Sequence, residues 1–96
     1  MTLVVRPLAE REIRAAARYY AKAAGPRLRE AFLSELDEAF ASIIAAPSAF
    51  PVVEGGIRGT LLSRFPYRIY YVVEDEDVFV IACLHARRRP GLYRGR

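Results

Sequence analysis

Two apolar runs near the C-terminal end constrain this chain more than any other feature. Tyr67-Arg68-Ile69-Tyr70-Tyr71-Val72-Val73 and Val78-Phe79-Val80-Ile81-Ala82-Cys83-Leu84-His85 are separated by an acidic stretch, Asp75-Glu76-Asp77. Runs of this length, rich in β-branched and aromatic residues and broken by turn-forming acids, read as a β-hairpin. The hairpin ends in one histidine and three consecutive arginines, Arg87, Arg88 and Arg89. No acidic residue follows Asp77, so this end of the chain gathers positive charge. A sheet that delivers its cations to one edge is aimed at something anionic.

The residues upstream predict what the hairpin packs against. Residues 2–6 form a short strand that Pro7 ends. From Leu8 to Ala24, Ile13, Ala16, Ala17 and Tyr20 fall at helical spacing, with Glu10 and Glu12 near the start, where the helix dipole favours acids. Gly25 closes this helix and Pro26 opens a second, over residues 26–46. The second stripe is Leu28, Phe32, Leu36, Ala39, Phe40 and Ile43, with Arg29, Glu30, Asp37 and Glu38 outward. Residues 47–57 read as a loop, and strands follow at 58–64, 67–74 and 78–85. The predicted order is β-α-α-β-β-β, a helical hairpin on a mostly antiparallel sheet, in the α+β class. Ninety-six residues predict one domain, 1–96, that buries roughly 60–65% of its unfolded surface.

Composition narrows the function classes. No run of about 18 apolar residues is present, so no membrane span is predicted. The N-terminus is too short, and charged too early, for a signal peptide. The lone Cys83 has no internal disulfide partner and reads as a small buried hydrophobe. These features predict a cytoplasmic, bacterial-type protein. The acidic residues lack metal-ligand spacing and Gly55-Gly56 lacks a nucleotide fingerprint, so no metal or cofactor is predicted. The net charge is +4 with Lys22 the only lysine. Arginine without lysine is explained either by genomic base composition or by bidentate recognition of phosphate and carboxylate.

The hairpin register decides which residues can cooperate. With a two-residue turn, Arg68 faces Cys83 and shares a face with His85. With a three-residue turn, Arg68 faces Leu84, Tyr67 faces His85, and Arg68 lies on the other face. Both leave Arg68, His85 and Arg87–Arg89 at the end far from the turn, with Arg64 close by. The aromatics read mainly as core. Tyr93, beyond the last strand, either reaches a ligand or covers an edge.

Over nearly its whole length the chain resembles the RelE/ParE superfamily, the toxins of type II toxin–antitoxin modules. The resemblance rests on the Ala-rich first helix with Tyr19-Tyr20, Phe32 and Pro47 of the second, Arg58, the block Phe65-Pro66-Tyr67-Arg68-Ile69-Tyr70-Tyr71, and the ending Leu84-His85-Ala86-Arg87-Arg88. It implies a toxin that inhibits growth and is neutralised by a cognate antitoxin, in a toxin–antitoxin hetero-oligomer. The His85-x-x-Arg88-x-Pro90 ending resembles the ParE-like branch, whose members poison DNA gyrase and are not enzymes in their own right. That branch implies Arg64, Arg87, Arg88, Arg89 and Tyr93 as target contacts. The alternative, a RelE-like ribosome-dependent mRNA endonuclease, implies Arg68 stabilising charge on phosphate and His85 as general acid or base.

Overall fold

A computed structural model describes residues 1–89 and 91–96. The elements are β1 (Leu3–Val5), α1 (Pro7–Ala24), α2 (Pro26–Ala45), β2 (Val52–Glu54), β3 (Ile57–Leu61), β4 (Tyr67–Glu74) and β5 (Asp77–His85). The strands form one sheet in the order β1-β5-β4-β3-β2. β1 runs parallel to β5 and the other pairings are antiparallel. The predicted α+β arrangement holds, with two differences. A short edge strand, β2, lies inside the predicted 47–57 loop, and β3 stops at Leu61 rather than residue 64. Only cross-strand pairing with β3 makes residues 52–54 a strand, and three residues carry too little periodicity to announce one.

Pro7 does more than end β1. It occupies the first helical position, where a missing N–H costs nothing and the fixed φ suits the helix. Gly25 is both the last cap of α1 and the first of α2. Its φ of 88° and ψ of −177° lie in a region essentially confined to glycine. The Gly-Pro pair therefore reverses the chain without a separate loop. The stripes of both helices meet on Phe32, which is fully buried and tilted or edge-on to Tyr20, Phe65 and Tyr67 at centroid distances of 5.4, 5.4 and 5.6 Å. Ile69, Tyr71, Val78, Val80 and Cys83 complete this core from the sheet. The hydroxyl of Tyr71 donates to the Pro47 carbonyl at 2.6 Å, tying the sheet to the end of α2. Arg58 donates to the carbonyls of Ser48 and Phe50 and pins the loop that follows.

The β4–β5 register combines parts of both predicted alternatives. The turn has two residues, Asp75 and Glu76, both with positive φ (51° and 72°), and Glu74 pairs with Asp77. This is the backbone of a two-residue hairpin turn that matches sheet twist. Further along, Tyr71 pairs with Val80 but Tyr70 pairs with Ala82, so Ile81 is an extra residue in a β-bulge. Beyond the bulge, Arg68 pairs with Leu84 and Tyr67 with His85. One inserted residue thus gives a two-residue turn the pairing expected of a three-residue one.

The far side of the sheet is covered as well. Ile81, Ala82 and Leu84 form a second cluster with Tyr93, flanked by Ile57, Tyr70, Val72 and Leu92. Both faces of β5 are therefore buried, which is why its sequence is continuously apolar rather than alternating.

Candidate functional site: the arginine end of the hairpin

The β4–β5 hairpin separates charge along its length. Glu74, Asp75, Glu76 and Asp77 lie at its tip; Arg64, Arg68 and Arg87–Arg89 lie at its base. Eight residues of β4 at roughly 3.3 Å each place these ends about 25 Å apart.

Two connections build the base. In the β3–β4 link, Phe65 is buried against Tyr20 and Phe32, Leu62 N–H donates to the Tyr67 carbonyl, and Tyr67 N–H donates to that of Phe65. After β5, Ala86 N–H donates to the Pro66 carbonyl at 2.7 Å, bringing the two connections together. Arg88 N–H donates to the His85 carbonyl, and Arg87 N–H donates to His85 Nδ1 at 3.1 Å. That bond places the proton of a neutral His85 on Nε2. Arg87, Arg88 and Arg89 are exposed and form no ion pair among the described residues. Pro90, the last residue of the ending singled out in the sequence, lies outside the described residues.

The other predicted site residues behave differently. Arg64 is held by Glu35, a buried carboxylate on α2 that accepts its backbone N–H at 2.8 Å and its Nε–H at 3.1 Å. Burial pushes the Glu35 pKa up, but these donors and the Ser63 N–H outweigh it and the net shift is down. Arg64 contributes a partly neutralised guanidinium at the rim. Arg68 lies on the far face of the sheet, between Leu61 and Leu84. His85 lies on the helix-facing side, edge-on to Tyr67 at 5.3 Å. The two candidate catalytic residues are on opposite faces, a consequence of the bulge. Tyr93 is buried against Tyr70, with centroids 4.5 Å apart, so its ring covers the sheet and is not offered as a contact.

Three features lie outside the sequence-based expectations. Glu35 sits where the helical pattern places a core residue, and a carboxylate there signals a partner, though not which one. Tyr19, 63% exposed, walls two adjoining shallow cavities of about 220 and 330 Å³ that also expose Tyr67 and His85. The basic tail is partly neutralised: Arg94 pairs with Glu54, and Arg96 with Glu12. Both acids precede the arginines by 40 residues or more, so the run of sequence after Asp77 overstates the free charge. Cys83 is buried as predicted; desolvation, with a smaller contribution from Glu12, pushes its thiol up to about 12. No metal-binding group occurs among the described residues, and no described helix is long and apolar enough to cross a membrane.

A sequence model of the ParE toxin of the type II toxin–antitoxin system parDE matches residues 3–90. The chain belongs to the ParE toxin family. Its fold is that of a chain in the chromosomal ParDE toxin–antitoxin system from P. aeruginosa. The two superimpose with a TM-score of 0.77 at 19% identity, over 88% of this chain and 95% of the other. No curated protein matches the sequence significantly. The family match takes in the whole arginine turn and stops before Tyr93, Arg94 and Arg96.

Proposed function

We propose that this ParE-family toxin arrests growth by poisoning DNA gyrase, and that the Arg87–Arg89 turn, with Arg64 on the adjoining β3–β4 link, is the surface that engages the target. A cognate antitoxin neutralises it in a toxin–antitoxin complex, and the site of action is the cytoplasm. The observation that carries the reading, given the family, is the turn itself. Three exposed guanidiniums project from the end of a hairpin packed on both faces, with no ion pair among the described residues. Guanidiniums are weakly hydrated and fork-shaped, suited to carboxylate or phosphate. They follow directly on a strand packed on both faces, which fixes where the turn begins. The separation of Arg68 from His85 across the sheet argues against the nuclease alternative, which needs both on one phosphate.

The test runs two assays on the purified toxin. One follows gyrase supercoiling and the cleavage complex; the other follows mRNA on programmed ribosomes. Gyrase inhibition with intact mRNA is the expected result, abolished in the triple variant Arg87→Ala/Arg88→Ala/Arg89→Ala. Codon-positioned mRNA cuts with gyrase untouched would overturn the proposal.

A further inference from the structure

Three residues of the segment after the arginine turn, Tyr93, Arg94 and Arg96, hold it to four elements. Tyr93 packs on Tyr70 of β4. Arg94 donates to both carboxylate oxygens of Glu54 on β2, at 2.7 and 2.6 Å. Arg96 donates to both oxygens of Glu12 on α1, at 2.7 and 3.0 Å, and to the Ile81 carbonyl at 3.2 Å. The Glu12–Arg96 pair is the more buried of the two ion pairs between the tail and the body, with side chains 18% and 16% exposed.

Its position explains the burial. β1 covers β5 only through Val80, where the Arg6 N–H donates to the Val80 carbonyl. Beyond the bulge, no described strand borders that edge of β5. Glu12 accepts the Cys83 N–H there at 3.1 Å, while Arg96 takes up the Ile81 carbonyl. Side chains from α1 and from the tail thus supply bonds that an edge strand would have made, and the tail is stitched into the sheet.

We infer that Glu12 and Glu54 are positioning residues for the arginine turn, clasping the tail so that Arg87–Arg89 is presented as a closed, preordered loop. The inference rests on the reading of that turn as the target surface. With His85 fixed in β5 and Tyr93 fixed on β4, the described residues between them, 86–89 and 91–92, are tethered from both sides. Loosening the clasp would weaken the hold on Tyr93 and leave the arginines in a segment anchored firmly only at His85, whose ordering on binding opposes association. The clasping arginines lie beyond the family match, and their acidic partners lie on α1 and β2.

The test uses the full chain. In Glu12→Gln/Glu54→Gln the amide oxygen introduced at position 12 can still accept the Cys83 N–H, so that bond survives while both ion pairs are lost and the Ile81 carbonyl gives up Arg96 as the tail loosens. Amide exchange across residues 86–96 should quicken by about tenfold or more. Gyrase affinity should fall by about tenfold; because one of the lost pairs is largely buried the melting temperature should fall as well, so affinity is read far below it. The reversal Glu54→Arg/Arg94→Glu should restore the affinity that Glu54→Gln loses. Unchanged exchange overturns the inference. So does faster exchange with full affinity, or failure of the reversal to restore it. If the triple arginine variant binds gyrase normally, the target reading falls instead, and the exchange measurement alone decides whether the clasp orders the turn.

Discussion

Replacing Glu35 with glutamine isolates the interaction that holds the β3–β4 link to α2. The Glu35 side chain is 8% exposed and accepts the Arg64 N–H at 2.8 Å and the Arg64 Nε–H at 3.1 Å. Glutamine keeps one acceptor oxygen but turns an NH₂ group toward donors. One of the two bonds is lost and the other no longer has a carboxylate as its acceptor, which costs about 2 kcal/mol. For a chain of this size that lowers the melting temperature by roughly 8–16 °C. Arg64→Ala removes only the Nε bond of a guanidinium that is 68% exposed, so it should cost less than about 1 kcal/mol. The acid side of the profile supplies a second check. The Glu35 pKa is lowered on folding, so its contribution is complete above the ordinary value of 4.5 and is lost as pH falls through the lower folded value. Melting curves by circular dichroism from neutral pH into the acid range should show the wild-type advantage over Glu35→Gln shrinking only as pH falls below 4.5. A larger loss for Arg64→Ala, or a gap that ignores pH, would refute the reasoning. It would mean that Glu35 is not held as a buried anion by these donors.

Other perturbations test other parts of the molecule. Phe32→Ala empties the centre of the aromatic core and should cost about 4 kcal/mol in urea unfolding, a large share of the stability of a domain this small. Glu76→Gly should stabilise the fold by about 0.5–1 kcal/mol in the same assay, because Glu76 is held at a φ of 72° that glycine adopts without strain. Cys83, with its thiol pushed up to about 12, should resist iodoacetamide at about pH 8 in the folded protein and react promptly in denaturant; equal rates in both would show that the strand is not buried. Gyrase binding should weaken steadily as salt is raised, and the triple arginine variant should lose most of that dependence; an equal salt slope in both proteins would place the contact elsewhere.

The sequence by itself determined the features that depend on neighbours in the chain. Helical spacing marks α1 and α2 because Ile13, Ala16, Ala17, Tyr20, Phe32, Leu36 and Ile43 each answer to residues three or four positions away. Gly25-Pro26 announces its reversal because the glycine supplies that φ and the proline a ready helix start. The acidic break at Asp75-Glu76 marks the hairpin, and the family resemblance rests on the same local blocks. Tertiary structure decided what depends on distant partners. The bulge at Ile81 sets the faces of Arg68 and His85 through packing on both sides of β5, which no alternation within β5 records. Three residues become β2 only because β3 pairs with them. Tyr93 is a cover rather than a contact because Tyr70 lies beneath it. Arg94 and Arg96 are neutralised by Glu54 and Glu12, leaving Arg87–Arg89 as the exposed charge. Periodicity reports which way a side chain points relative to its own helix or strand; register and charge pairing depend on what the folded chain places opposite it.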